Sequence, residues 1–309
     1  MIVVATKMVY KAFGMKLLSE IPFPELHQIC GNGNMADVVI EISDLTGLWS
    51  KLALRDEKII YTPELIMFQL HDTAIFCIRE GKKITVSPLP EFDVDMVRVY
   101  ILGTCMGVLL LQRKVLPLHG SAVAINGRAY GFIGDSGTGK STLAAAFISR
   151  GYQLVSDDVL AVSVSHEGIP LITPSYPQQK LWQESLNELG MKADRYRHIY
   201  QREHKFAVPV PEDFFTEPLP LAGLFELLVT GNETLEIRRI ERLERLRTIY
   251  YQTYRKFLIS RLALMEWHFK TSANIADRID MFQLRRPCAG FTAPHLASLI
   301  LSTINQEEE

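Results

Sequence analysis

Residues 134–141 read Gly134-Asp135-Ser136-Gly137-Thr138-Gly139-Lys140-Ser141 and satisfy G-x-x-x-x-G-K-[ST] in full. No other stretch limits the fold as strongly. The glycines must turn successive backbone N–H groups inward, and a helix must present its positive end to the same anion. A strand therefore has to precede the loop and a helix has to follow it. The sequence supplies both. Residues 129–133 are an apolar run, and 140–150 reads as a helix with Gly151 suited to its C-terminal cap. In such a loop Lys140 reaches the β- and γ-phosphates as a point charge, and the Ser141 hydroxyl is placed to ligate Mg²⁺. The nucleotide contacts expected are Gly134, Asp135, Ser136, Gly137, Thr138, Gly139, Lys140, Ser141 and Thr142.

The rest of the chain supports an α/β architecture. Residues 1–92 read mainly as strands. There is a loose alternation over 9–15, a β-branched run over 36–42, and a hairpin of 74–78 with 83–86 around Glu80-Gly81. Pro22, Pro24, Gly31 and Gly33 punctuate the loops. Over 93–113 the period becomes helical, with Leu102, Met106, Leu109 and Leu110 on one face, Asp93 or Asp95 as cap, and Arg113-Lys114 at the end. This change of period sets a domain boundary. A mostly β region, 1–92, with an accessory or substrate-binding role precedes a catalytic unit, 93–309.

Within the second unit, 120–125 and 128–133 form a hairpin at Asn126-Gly127. A strand at 153–155 and a hairpin of 159–164 with 169–172 follow. A helix is expected at 181–189, then a polar, basic loop to Pro211. Residues 219–229 read as a buried strand with 234–240 as its partner. Helices at 241–254 and 256–270, a strand at 281–284, a helix at 294–305 and a frayed tail complete the chain. The expected fold is a mixed sheet flanked by helices.

Charge and composition remove several function classes. There are 33 Lys+Arg against 35 Asp+Glu, a net −2, which disfavours a nucleic-acid partner. A hydrophobic content of 48% disfavours a disordered chain. The apolar run 100–111 is shorter than the roughly 20 residues a bilayer needs, and residues 1–7 lack the pattern of a signal peptide. A cytoplasmic protein without membrane contact is expected. Cys30, Cys77, Cys105 and Cys288 show no C-x-x-C spacing, so they read as small apolar residues in a reducing compartment.

Two further features carry chemistry. Asp157-Asp158 directly follows the strand at 153–155, where phosphate-loop enzymes keep an acidic residue. One carboxylate can take a proton from an attacking hydroxyl while the other orients a metal ion; equally, an Asp pair can be a plain turn. His119-Gly120-Ser121 opens the strand that leads to the loop, and a histidine there can donate to a phosphate oxygen or tune a carboxylate.

In order, His119-Gly120, the loop at 134–141 and Leu154-Val155-Ser156-Asp157-Asp158 resemble the catalytic domain of HPr kinase/phosphorylase, a bacterial protein-serine kinase family. The resemblance implies an HPr-kinase-like phosphate-loop core, ATP and Mg²⁺ as cofactors, and a homo-oligomer. It implies Lys140 as phosphate ligand, Ser141 as metal ligand, and His119 as electrostatic neighbour of the base. The base is one of Asp157 and Asp158. We take Asp157 as base and assign Asp158, with Ser141, to the metal. The family's acidic residue after the loop is Thr142 here. Its later glycine-rich signature is replaced by Pro174-Ser175-Tyr176-Pro177-Gln178-Gln179-Lys180-Leu181-Trp182, with Glu184 as the nearest acidic candidate for a second metal ligand.

A narrower resemblance is to the HPr-kinase-like proteins of lasso-peptide biosynthesis. It rests on Tyr10-Lys11-Ala12-Phe13-Gly14, Ser19-Glu20, Pro24-Glu25-Leu26, the 176–182 segment and Gln252-Thr253-Tyr254-Arg255. It implies a peptide substrate, the C-terminal serine of a lasso precursor. Alternatives are the HPr carrier protein as acceptor, hydrolysis with water as acceptor, and a nucleotide-binding module without transfer. Arg238, Arg239, Arg242, Arg245, Arg247, Arg255, Lys256 and Arg261 crowd one stretch. They read as a solvated face balanced by Glu236, Glu241 and Glu244, or as a dock for a peptide carboxylate or phosphoserine.

Overall fold

The computed structural model describes residues 7–30, 35–53, 58–62, 64–90, 92–199, 202–231 and 234–308. The loop positions Gly31 and Gly33, most of the opening 1–7 segment and the last residue of the tail lie outside them.

The chain opens with β1 (Met8–Ala12), β2 (Met15–Ser19), β3 (His27–Gln28), β4 (Val38–Ile42), α1 (Thr46–Leu52), β5 (Ile59–Tyr61), β6 (Leu65–Leu70), β7 (Ala74–Arg79) and β8 (Lys83–Pro88). These strands form one sheet in the order β3-β1-β2-β4-β8-β7-β6-β5. The alternation at 9–15 is two strands, not one. Phe13 and Gly14 both take positive φ (51° and 71°), which turns the chain back so that Ala12 faces Met15. Glu80-Gly81 makes the expected turn, with φ of 51° and 63°. The α1, β5 and β6 elements were not legible as separate units.

Next comes a helical rod of α2 (Val94–Tyr100), a π turn over Ile101–Cys105, and α3 (Met106–Gln112). Asp93 is the cap, its carboxylate accepting from the Asp95 and Met96 N–H groups. By length and composition the 19-residue run Val94–Gln112 is apolar enough to cross a membrane, which corrects the shorter run read from sequence. Here 72% of its most apolar 18-residue stretch is buried inside the protein. Val97, Leu102, Met106 and Leu109 share one apolar core with Leu17, Ile40 and Phe76 of the first sheet and with Val159 and Tyr176 beyond it.

The second half builds β9 (Leu116–Ile125), β10 (Arg128–Ile133), α4 (Lys140–Ile148), β11 (Gln153–Ser156), β12 (Val159–Val164) and β13 (Pro170–Thr173). It continues with β14 (Gln178–Trp182), α5 (Gln183–Glu188), β15 (Arg197–Ile199), β16 (Arg202–Pro209), β17 (Leu219–Thr230) and β18 (Glu236–Arg239). It closes with α6 (Leu243–Gln252), α7 (Phe257–Arg261), α8 (Met265–Arg278), β19 (Asp280–Pro287) and α9 (Ala293–Glu308). The α/β class with a mixed sheet is as expected. The pairings β10-β9-β12-β13-β17 return to β10 and close a ring, and β10, β17 and β19 run parallel. Asn126-Gly127 turns the β9–β10 hairpin.

Four expectations are corrected. The helix at 181–189 begins only at Gln183, because 178–182 alternates in burial and pairs with β16. The polar loop to Pro211 contains β15 and β16. Strand β18 pairs with β19, not with β17. The helix at 256–270 is also broken, at Ala263, whose φ is 54°.

Candidate active site

The phosphate loop leaves the carboxyl end of β10 and enters α4. At Gly134 φ is 146°, and a Cβ there would lie 2.6 Å from the Leu227 carbonyl oxygen, so only glycine fits. Lys140 folds over the loop, its Nζ donating to the carbonyls of Gly134 (2.8 Å) and Asp135 (2.7 Å). Burial lowers its ammonium pKa to about 8, against the pull of Asp157 and Asp158. Arg286, at the end of β19, donates from Nε to the Thr138 carbonyl at 2.9 Å.

The two aspartates occupy different environments. Asp157 is 2% exposed. Its Oδ1 accepts from Ser121 Oγ (2.5 Å) and Ser141 Oγ (2.8 Å), and its Oδ2 from the Lys180 N–H (2.8 Å). Asp158 takes a left-handed conformation, φ 73°, which turns its carboxylate away from that cluster and onto Lys180 Nζ at 2.6 Å. Burial alone would raise the Asp158 carboxyl. The Lys180 ammonium and His119 outweigh it and hold the group well below the usual carboxylate range. Lys180 is held correspondingly high, burial being overridden by Asp158. His119 Nδ1 donates to the Asp158 carbonyl at 3.0 Å, and its ring lies 3.7 Å from the carboxylate. Burial first, then Lys140, lower its pKa against the pull of Asp158, which favours the neutral ring.

Lys180 and Tyr254 are the residues missed as site members. Gln179 (2% exposed) and Leu181 (1%) share one buried face of the strand, and Lys180 projects from the other, where its side chain is still only 11% exposed. A lysine inside such a strand is the available signal, since a buried ammonium needs a partner. Tyr254 follows α6 and lies on the helical rod. A Cβ at Gly107 would meet its ring carbon at 2.5 Å, and one at Gly103 would lie 3.4 Å from its hydroxyl and 3.8 Å from the Asp158 carboxylate. The π turn thus lines the site, as such turns commonly do. Arg255 ties to the same turn through Thr104 Oγ1 at 2.8 Å.

All of this opens on one cavity of ≈ 1020 Å³. His119, Lys140, Ser141, Thr142, Asp157 and Asp158 line it together, as do Asp135 to Gly139 and Glu184; Gly134 is not among the lining residues. Thr142 Oγ1 bonds Ser185 Oγ at 2.8 Å. The basic stretch divides. Arg238 pairs with Glu244, Arg239 with Asp280, and Arg245 with the Ile279 carbonyl, whereas Arg255 and Lys256 line the cavity. Among the described residues no three His, Cys, Asp or Glu side chains gather to hold a metal. The oxygens of Ser141 and Asp157 suit a hard cation completed by phosphates and water, which is how Mg²⁺ is usually held. The four cysteines are free; Cys77 and Cys105 are buried, Cys30 and Cys288 exposed.

No family model matches the chain. It is 42% identical over 69 residues to the HPr kinase/phosphorylase of Mycoplasmopsis pulmonis, covering 22% of each protein. It is 36% identical over 85 residues to that of Paraburkholderia phymatum, covering 27% of this chain and 24% of the relative. The match to the Ralstonia pickettii protein is 32% over 90 residues, 29% and 26%. The chain thus spans about a quarter of the length of these curated relatives. The HPr(Ser) kinase/phosphatase structure from Coxiella burnetii aligns over 62% of this chain and 99% of its own at 15% identity, with a TM-score of 0.34.

Proposed function

We propose that the protein is an ATP-dependent serine kinase that transfers the γ-phosphoryl group to a peptide. The observation that carries this reading is the Asp158 carboxylate, paired with Lys180, beside a phosphate loop in one cavity. The local similarity to HPr kinase/phosphorylases points the same way. Residues 93–309 would be the catalytic unit and 1–92 the accessory one.

In the proposed mechanism, backbone amides of 137–141 and Lys140 hold the phosphates. The acceptor serine oxygen attacks the γ-phosphorus in line, the bond to the β-phosphate bridging oxygen breaks, the serine proton passes to Asp158, and ADP leaves. Ser141 and Asp157 would hold Mg²⁺, which neutralises phosphate charge when bound. The roles first given to the aspartates are therefore exchanged. What supports the exchange is that Asp157 has both oxygens occupied and bonds Ser141, while Asp158 faces Lys180 and His119. A loose transition state needs the acceptor oriented more than deprotonated, so a weakly basic carboxylate suffices.

The acceptor we propose is the C-terminal serine of a lasso precursor. The two inner segments behind that resemblance support it by converging here: Lys180 bonds Asp158, and residues 252–255 line the cavity. Arg255 and Lys256 offer cations for a carboxylate next to the acceptor hydroxyl. The test is intact mass after incubation with Mg-ATP and a precursor peptide ending in serine, beside HPr. The peptide gains about 80 Da with the wild type and nothing with Lys140→Ala. Gain on HPr alone moves the substrate to the carrier protein, and ATP consumption without any gain replaces transfer with hydrolysis.

A further inference from the structure

We propose that the β19–α9 side of the cavity is a nucleoside subsite, in which Arg286 contacts the phosphates beside the loop and Phe291 stacks on the base. This rests on the nucleotide-binding reading above and names the residues that complete it.

Topology places the subsite. Strands β10, β17 and β19 are parallel, so their carboxyl ends open on one edge, where α/β sheets bind ligands. The phosphate loop leaves from β10 and Arg286 ends β19. His119 and Asp158 come from β9 and the turn before β12, on the other side of β10 in the strand order. Donor nucleoside and acceptor hydroxyl would then approach the loop from opposite flanks, as in-line displacement requires.

Arg286 is built into the loop. Its Nε bonds the Thr138 carbonyl and its Nη1 the Pro287 carbonyl at 3.0 Å. A Cβ at Gly139 would lie 3.6 Å from its Nε and Nη2, so the guanidinium lies along the loop. Among the described residues no carboxylate pairs with it and Nη2 has no acceptor. A half-buried cation lying along the loop at Gly139 without a counter-ion is costly unless an anion shares the site. Phe291 is half-buried and lines the cavity just after Gly290. Among the described residues it makes no ring–ring contact and belongs to none of the apolar core clusters. An aromatic face at a cavity wall, outside the core, matches a planar base.

The experiment is calorimetric titration of the full chain with Mg-ADP and, separately, with magnesium inorganic triphosphate. Phe291→Ala is expected to weaken ADP binding roughly tenfold and to leave triphosphate binding unchanged; Phe291→Trp restores ADP. Arg286→Gln weakens both ligands. Phe291→Leu, with thermal melting on every variant, guards against a folding defect. Unchanged ADP binding in Phe291→Ala and Phe291→Leu, beside loss in Lys140→Ala, overturns the subsite and leaves the kinase reading standing. A wild type that binds neither ligand removes both.

Discussion

The two flanks of the cavity are assembled in opposite ways. On the nucleotide flank, Lys140 and Ser141 belong to one loop, and Lys140 bonds carbonyls of that same loop. On the acceptor flank, Asp158 meets His119 from β9, Lys180 from β14, Tyr254 after α6 and the π turn of the helical rod. The loop is a local device, steadied from outside chiefly by Arg286 of β19. The acceptor flank is a charge pair held by distant elements, so each part is answerable to the others.

The strongest way to break this contrast is to separate the charge pair. Asp158→Asn should slow transfer roughly 10²–10⁴-fold, the range for loss of a positioned proton acceptor. Lys180→Met should cost about 3–5 kcal/mol of stability in denaturant unfolding, because Asp158 loses its partner. The double variant should recover most of that stability and none of the transfer. Additive stability losses would mean the pair is not coupled.

A smaller effect is expected from Gly107→Ala. Its methyl group must displace the Tyr254 ring, costing about 1–3 kcal/mol. The acceptor KM should rise while ADP affinity stays at the wild-type value; equal losses on both would erase the distinction between flanks.

The smallest effect is a pH signature. Lys140 titrates near 8, so its charge is present below that pH and lost above it. Affinity for Mg-ADP should fall by up to about tenfold between pH 7 and 9. Lys140→Arg should flatten that fall. On the acceptor flank Asp158 is depressed, so its stabilising ionisation is lost only as pH falls through its folded value. Lys180 is raised, so its charge is lost only as pH climbs past the ordinary lysine range. Unfolding stability from this pair should therefore be level between about pH 5 and 9, as followed by denaturant midpoints.

This difference also explains what the sequence disclosed. The loop, the Asn126-Gly127 and Glu80-Gly81 hairpins and the helix after Asp93 depend on neighbours a few residues away, so spacing reveals them. Lys180 does not. Its strand was obscured because Leu181, Leu186 and Leu189 fall at spacings a helix also allows, and pairing with β16 decides otherwise. Strand β18 was matched to β17 because adjacent strands usually pair; the parallel entry of β19 between them is a long-range event. The division of labour between Asp157 and Asp158 was invisible because it turns on one backbone angle, the positive φ of Asp158.

The helical rod carries a consequence for handling the chain in pieces. Its apolar surface has the composition of a bilayer span and is covered partly by the first sheet. A fragment starting at residue 93 would keep the phosphate loop and both aspartates but shed that cover. Exposed apolar surface of this extent drives self-association or detergent binding. Cutting the chain where its sequence period changes would strip the lagging from the pipe: the catalytic machinery would be present, on a particle that seeks oil.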